Sequence, residues 1–445
     1  MEKHVLQSPG KSVINQIYKT LSHYFPDLKN NLNQLPDKRK QIQYQTFELC
    51  MAGISLFMLK QGSRNAYNND RKDPEFLNNY ESLFNCNLPH LDTTDEYFRE
   101  LTDSGLENIK TKMISRLIRN KVIQGSKFRG HYIVAIDATG IASFKEKHCD
   151  SCLSKTSKKG VTTYFHNVLE AKILTSTGLS LSIATEWICN EGKTQYEKQD
   201  CEREAFKRLS KKLKKHYPRL PMVIVADGLY PWDGFFEICN NNNWKYIVTL
   251  KDGSLKSLQE EISFEKLINY KQTTQIKRAE KNKSITLNYN WLMKLPYNKH
   301  FINYVECKEE TVNINTSELV YQRFVHITNF QVDSSTCDSI SFAGRLRQKI
   351  ENEGFNTQKN QGYSLEHKYS RISVQAMKNY YQCLQIAHII NQLVEASNSI
   401  TLVLKTLKCT VKHLWKRLLS YLLENKIDKN DLISLTAKPF QIRLE

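Results

Sequence analysis

The middle of the chain alternates short runs of apolar, β-prone residues with polar segments of helical character. The run YIVAIDATG (132–140) comes first, and two further β-prone runs between 164 and 188 flank a Thr-Gly pair, which is typical of an antiparallel hairpin. A basic amphipathic segment (191–220), the apolar run MVIVADG (222–228), a second helical segment and the run KYIVTL (245–250) follow. Three strands, a helix, a strand, a helix and a strand in this order predict an α/β fold with a mixed sheet.

The flanking regions have different periodicities. Residues 1–128 carry apolar residues at helical spacing, most clearly in 38–61 and 88–123, where Asp92 or Thr93 is the expected helix cap. Polar and β-prone residues alternate from 270 to about 335, and helical spacing returns from about 340. We therefore expect a helical region (1–128), the first part of an α/β core (129–268), an antiparallel β insertion (269–338), and the completion of the core with C-terminal helices (339–445).

The charge balance indicates a polyanionic partner. The 445 residues include 64 Lys and Arg against 46 Asp and Glu, a formal net charge of +18. No apolar run approaches the roughly 18 residues that a membrane span needs, the first residues lack the apolar segment of a signal peptide, and the 11 cysteines form no disulfide framework. These features predict a cytoplasmic, nucleoid-associated protein that binds DNA and no membrane, with 1–128 as a DNA-binding region.

Two aspartates follow the apolar runs of the predicted core. Asp137 comes directly after YIVAI, and Asp227 comes directly after MVIVA. A strand that is buried on both faces ends at the edge of its sheet, so a carboxylate there can project into a site. An Asp at this position also commonly caps the next turn, and the repetition of the pattern is what favours a shared site. Paired carboxylates are ligands that Mg²⁺ prefers, and a third acid would come from a helix packed on the sheet.

Three longer stretches carry a resemblance to a known family. They are IDATG (136–140), VADGLYPWDGFFEICNNNNWKYIVTLKDGS (225–254) and RLRQKIENEGFNTQKNQGYSLEHKYS (345–370). In these stretches the chain resembles DDE transposases of the bacterial insertion-sequence type, from the subgroup whose ribonuclease H-like core carries a β insertion before the third acid. The resemblance covers about residues 85 to 400.

The family signature around the third acid is Tyr-x2-Arg-x3-Glu-x6-Lys on a helix. Arg347 and Glu351 keep the Arg-x3-Glu spacing, which places them on one face of a helix. The chain departs from the signature at Gly344, which replaces the Tyr, and at Lys359, which falls one residue late with Gly354 in between. Two other acids remain alternatives for the third position, Glu353 and Glu366.

The resemblance implies that Asp137, Asp227 and Glu351 hold Mg²⁺, or Mn²⁺ in its place, in a mixed ribonuclease H-like sheet. It implies metal-dependent hydrolysis at a transposon end and attack of the freed 3′-hydroxyl on target DNA, by a homodimer that holds two double-stranded ends. Arg347 and Lys359 would contact this DNA. Two alternatives remain: a metal-dependent DNA nuclease, which does not join strands, and a catalytically inactive, domesticated relative that only binds DNA.

Other residues have two interpretations each. The basic segment after residue 200 includes Lys211, Lys212 and Lys215, which we expect to contact DNA unless they form an ordinary solvated helix face. Trp291 is either a base-stacking residue or a buried core residue. The stretch EKQDCE (197–202) also resembles the transposase subgroup, but we interpret its acids as helix-flanking residues outside the site.

The sequence HCDSC (148–152) has the spacing of metal ligands. Cys149 and Cys152 form a Cys-x2-Cys pair, and His148 or His166 could add nitrogen ligands for Zn²⁺. A second Cys-x2-Cys pair is missing, so free thiols are the alternative interpretation.

Overall fold

A mixed ten-stranded sheet forms the centre of the fold in the computed structural model, which describes residues 8–190, 200–268 and 272–444. The strands are β1 (Tyr132–Phe144), β2 (Leu153–Thr156), β3 (Thr162–Leu174), β4 (Ser180–Ile188), β5 (Met222–Ala226), β6 (Lys245–Thr249), β7 (Thr273–Glu280), β8 (Lys283–Tyr297), β9 (His300–Asn313) and β10 (Leu319–Thr328). Their order is β2-β3-β1-β5-β6-β10-β9-β8-β7, and β4 pairs with β3. The predicted α/β class with a mixed sheet is confirmed.

Strands β1, β5 and β6 form the parallel part of the sheet. Apart from Lys245 at the start of β6, they are buried and mostly apolar where they pair, because helices cover both of their faces. The predicted hairpin is β3–β4, and its turn includes Gly178 at φ +99°, a conformation that glycine adopts without strain. Strand β2, within the cysteine- and lysine-rich loop, was not predicted.

Strands β7 to β10 pair antiparallel, as their alternating pattern predicted. They do not form a separate sheet, because β10 pairs antiparallel with β6, with His326 opposite Thr249. The residues predicted as a β insertion therefore extend the central sheet by four strands.

Helices of the first 128 residues pack against one long helix of the C-terminal region. The first set is α1 (Pro9–Tyr24), α2 (Leu28–Asn33), α3 (Thr46–Met58), α4 (Arg64–Asp70), α5 (Pro74–Phe84), α6 (Leu91–Glu100) and α7 (Asp103–Arg119), followed by a 3₁₀ turn (Gln124–Ser126). The later set is α8 (Glu202–His216), α9 (Asp233–Asn241), α10 (Lys256–Ile268), α11 (Cys337–Arg345), a π turn (Ile350–Asn356), α12 (Thr357–Asn360), α13 (Val374–Glu395), α14 (Asn398–Leu407), α15 (Val411–Glu424) and α16 (Lys429–Ser434). Helix α13 is buried along most of its length and contacts α3, α6 and α7. Among the helices described, none has the length and apolar character to span a bilayer.

Two local predictions were wrong, and one helix was not predicted. Helix α6 begins at Leu91 and its N-cap is His90, not Asp92 or Thr93, because the fully buried Leu91 already belongs to the packed face. Helix α10 was not predicted, since only Leu258 and Ile262 of its residues are buried and its pattern is mostly polar. The basic C-terminal segment forms two helices, α14 and α15, rather than one.

The alternation of side chains along β1 determines which face receives the candidate site. Val134 and Ile136 belong to the larger apolar core, which also includes the N-terminal helices. Ile133 and Ala135 belong to a smaller core on the opposite face, which also includes residues of α11 and the π turn such as Ile350. Asp137 continues the second series and therefore projects toward the face that carries α11 and the π turn.

Candidate functional site

Asp137 and Asp227 lie level with each other on neighbouring strands. The parallel pairing of β1 with β5 ends with Ala135 opposite Val225, and positions 137 and 227 continue that register. Asp227 follows β5, as predicted. Asp137 does not end its strand, since β1 continues to Phe144 by pairing with β3 on its other side. The prediction of a strand end at Asp137 was wrong, although the parallel pairing on that side stops beside it.

Each of these aspartates is held by one backbone amide and one basic side chain. Asp137 Oδ1 accepts a hydrogen bond from the next amide at 3.0 Å, and Oδ2 lies 3.3 Å from Arg347 Nη1. Asp227 Oδ1 accepts from the amide two residues on at 2.8 Å, and Oδ2 lies 2.9 Å from Lys251 Nζ. About a quarter of each aspartate side chain is exposed, 23% for Asp137 and 24% for Asp227, so a ligand can reach both carboxylates.

Glu351 lies in the π turn that follows α11. A π turn holds more residues than an α turn and is frequent at functional sites. Lys359 lies eight residues after Glu351, one more than in the transposase signature that this stretch resembles, and the π turn lies between them. Position 354 in this turn is crowded and favours glycine. A Cβ there would lie only 3.1 Å from Ser180 Oγ and 3.3 Å from Lys172 Nζ.

The other departure from the family signature also has a packing explanation. A Cβ on Gly344 would lie 2.5 Å from the ring of His326 on β10 and 2.9 Å from Ile247 Cγ2 on β6. Helix α11 therefore lies so close to the sheet that no tyrosine fits at this position. The Arg-x3-Glu pair retains its spacing without it.

The three predicted acids interact electrostatically. Burial raises the pKa of Asp137 above its ordinary value, the charge of Arg347 and the adjacent amide oppose this, and the negative charges of Asp227 and Glu351 raise the pKa further. Among the described residues, the Glu351 carboxylate has no hydrogen-bond partner. The alternative third acids are engaged elsewhere: Glu353 pairs with Lys349 at 3.2 Å, and Glu366 pairs with Lys359 at 3.3 Å.

Glu202 is a fourth acid at this site, and the sequence interpretation missed it. It is the first residue of α8, and Tyr230 Oη donates a hydrogen bond to its Oε2 at 3.3 Å. Burial raises the pKa of Glu202, the negative charge of Asp137 and more weakly that of Asp227 raise it further, and the Tyr230 hydrogen bond opposes the shift. The signal was the EKQDCE stretch, of which 197–199 lie outside the described residues.

The predicted DNA-contacting lysines fall into separate environments. Lys211 and Lys215 line a surface groove between α8 and α9 that also includes Trp232. Lys212 faces inward and pairs with Glu107 at 3.1 Å and Glu186 at 3.2 Å. The surface of α8 thus offers positive charge through its outer lysines, whereas Lys212 is used within the fold.

Trp291 is buried, with 9% of its surface exposed, and belongs to the smaller apolar core. The interpretation of Trp291 as a buried core residue is therefore correct.

A second cluster joins the β1–β2 connection to β3. Its four members have ligand atoms within 4.8 Å of one another: His148, Cys149, Cys152 and His166. Burial, with smaller contributions from the charges of His148 and Lys378, lowers the pKa of His166 to about 4, so its imidazole is neutral. The sequence suggested His148 or His166 as the nitrogen ligand, and the structure places both histidines beside the cysteines.

The carboxylate cluster is suited to a divalent cation by its donor chemistry. Four carboxylates (Asp137, Glu202, Asp227 and Glu351) interact with three basic side chains (Arg347, Lys251 and Lys172), so negative charge is in excess. Oxygen ligands from carboxylates are those that Mg²⁺ and Mn²⁺ take in proteins, and the partial exposure leaves room for water or substrate. The residues present therefore fit a hard divalent cation.

Models of known protein families give no match to the chain, and a search of curated proteins finds none similar to it.

Proposed function

We propose that the protein is a DNA transposase of the DDE type with a ribonuclease H-like core, acting as a homodimer on paired DNA ends. The observation that carries the proposal is the convergence of Asp137, Asp227 and Glu351 from two neighbouring strands and a packed helical segment, with Arg347 against the first of them. The three acids lie 90 and 124 residues apart along the chain (227 − 137 and 351 − 227). Their meeting at one edge of parallel pairing supports a built site over a chance cluster of surface acids.

In this proposal Asp137, Asp227 and Glu351 would hold Mg²⁺, or Mn²⁺ in its place, which when bound activates an attacking oxygen and stabilises charge on the leaving oxygen. Water attacks the phosphorus at a transposon end, the bond to the 3′ oxygen breaks, and a 3′-hydroxyl and a 5′-phosphate result. The 3′-hydroxyl then attacks a target phosphodiester and releases the target's own 3′-hydroxyl. Arg347 is placed to orient the reacting phosphate, because a guanidinium binds phosphate oxygens in a fixed geometry.

The DNA-binding surface in this proposal includes the outer lysines of α8. Lys211, Lys215 and Trp232 line the same groove, which is open to solvent. A net charge of +18 supports tight, salt-dependent binding to duplex DNA in the cytoplasm. Lys212 is excluded from this surface by its two ion pairs.

The test uses the purified full chain with labelled DNA from the segments that flank its coding region. Asp137→Ala should lower Mg²⁺-dependent cleavage by at least about 100-fold, because loss of even a second-shell partner of a metal costs 10–100-fold. Its DNA affinity in a gel-shift assay should stay within a factor of about two, since the surface lysines are untouched. Unchanged cleavage by Asp137→Ala would overturn the site assignment.

A pre-cleaved end separates transposition from simple nuclease action. The wild-type chain should join such an end to a target plasmid in Mg²⁺ or Mn²⁺. Hydrolysis without joining would instead support a metal-dependent nuclease, and DNA binding without either reaction would support an inactive relative.

A further inference from the structure

The cysteine–histidine cluster next to the end of β1 is not used by the proposed phosphoryl transfer. Cys149 Sγ and Cys152 Sγ lie 3.6 Å apart, and His166 Nε2 lies 3.5 Å from the first and 3.4 Å from the second. A tetrahedral Zn²⁺ with ordinary bond lengths separates two sulfur ligands by about 3.8 Å and a sulfur from a nitrogen ligand by about 3.6 Å. The three atoms therefore already lie at the spacing of one face of a zinc tetrahedron.

His148 completes the set with an available nitrogen. Its Nε2 lies 2.8 Å from the carbonyl oxygen of Arg371, and since a carbonyl only accepts, Nε2 carries the proton. The lone pair is then on Nδ1, which is buried and has no hydrogen-bond partner among the described residues. A metal-ligating histidine typically donates its other ring N–H to a carbonyl or carboxylate, as His148 does here.

We propose that His148, Cys149, Cys152 and His166 bind one structural Zn²⁺. Two thiolates and two imidazoles are a ligand set that zinc takes in closed, four-coordinate sites, and they leave no position for a substrate. Cys152 and His166 are buried, and the other two are half-buried, so the site is shielded as structural zinc sites are. The proposal does not depend on the transposase assignment.

The zinc would join three segments of the chain. The β1–β2 connection supplies His148, Cys149 and Cys152, and β3 supplies His166. The carbonyl of Cys152 accepts a hydrogen bond from Asn190 Nδ2 at 3.1 Å, and Asn190 Oδ1 accepts one from the Asp200 amide at 3.0 Å. Because Asp200 lies two residues before Glu202, the zinc would also hold the chain that leads into α8.

The test measures metal content and ligand type in the full chain, purified from zinc-supplemented cells without chelators. We expect about one zinc per chain by mass spectrometry of the metals, and at least a tenfold loss in Cys152→Ser. Cys409→Ser is the control, because Cys409 is also a cysteine outside any disulfide but lies between α14 and α15, away from the cluster. Cys409→Ser should keep the zinc of the wild-type chain.

Cobalt provides a readout that needs no variant. Co²⁺ in place of Zn²⁺ should give the intense visible bands of tetrahedral coordination together with thiolate-to-cobalt charge transfer, and the charge-transfer band should weaken in Cys149→Ser. Wild-type protein that holds no zinc and gives no tetrahedral cobalt spectrum would overturn the proposal. A Cys149–Cys152 disulfide in the freshly purified chain, or a different metal on the same residues, would also overturn it.

Discussion

The carboxylate cluster and the cysteine–histidine cluster lie on the same sheet, one beside β1 and the other between the β1–β2 connection and β3, and they offer different donor atoms to a metal. The first gathers Asp137, Glu202, Asp227 and Glu351, which carry more negative charge than Arg347, Lys251 and Lys172 neutralise. The second gathers two thiols and two imidazoles within the 19 residues from His148 to His166. Oxygen donors favour hard cations, whereas sulfur and imidazole favour zinc.

The two proposals therefore assign different uses of metal to the two clusters. Partly exposed carboxylates with an excess of negative charge favour an exchangeable cation that can also bind a phosphate oxygen. Four donors that nearly fill a tetrahedron favour a permanent ion that stabilises the chain. The following predictions test whether this division is correct, and they begin with the largest effect.

The first prediction compares two acids of the same π turn. Glu351→Gln should lower Mg²⁺-dependent DNA cleavage by at least about 100-fold, because it removes a proposed metal ligand. Glu353→Gln should change the rate by less than about threefold, because Glu353 pairs with Lys349 and is not among the acids that interact with Asp137. Single-turnover cleavage on the same DNA measures both.

Metal content is the control for this comparison. Both glutamine variants should keep the zinc of the wild-type chain, since neither residue contacts the cysteine–histidine cluster. Equal rates for Glu351→Gln and Glu353→Gln would contradict the assignment of the third acid. Loss of zinc from Glu351→Gln would show that the two clusters are not independent.

The two clusters were not equally visible in the sequence. The members of the cysteine–histidine cluster are mostly close in sequence, so Cys-x2-Cys spacing identified Cys149 and Cys152, and only the presence of both His148 and His166 needed the fold. The aspartates were found because apolar runs directly precede them. Asp137 on β1 and Asp227 just after β5 lie side by side because of the register of the two strands, which the sequence does not specify.

Glu202 shows what sequence patterns could not supply. Its distance along the chain from Asp137 and Asp227 is bridged only by the packing of α8 on the sheet. Lys212 shows the converse, since its neighbours in sequence are lysines but its partners Glu107 and Glu186 come from other elements. Helical periodicity indicates which side of α8 is apolar, not which charged residue finds a partner.

A second prediction concerns Glu202 and has its control on the same helix. Glu202→Gln should lower cleavage by roughly 10-fold and raise the Mg²⁺ concentration needed for half-maximal rate, because it removes one charge from the carboxylate cluster. Glu204→Gln should leave both unchanged, since Glu204 is half-exposed and pairs with Lys207 at 2.7 Å. Equal behaviour of the two variants would exclude Glu202 from the site.

The smallest expected effect is a change in Tm, which should rise when the carboxylate cluster loses a charge and fall when the cysteine–histidine cluster loses a ligand. Burial raises the pKa of Asp137 in the folded chain, so the folded state binds more protons, and stability falls as pH rises from the unfolded toward the folded pKa. Above the folded pKa and without divalent cations this cost is fully present, and there Asp137→Asn should raise the Tm by about 1–2 °C. The gain in Tm should vanish as pH falls to the ordinary aspartate range.

Two further variants serve as controls. Glu96→Gln, which changes an exposed carboxylate, should leave the Tm unchanged, and Cys152→Ser should lower the Tm of zinc-loaded protein. A lower Tm for Asp137→Asn in chelator would mean that Arg347 and the backbone amide outweigh burial, and that the carboxylate cluster is balanced without a cation.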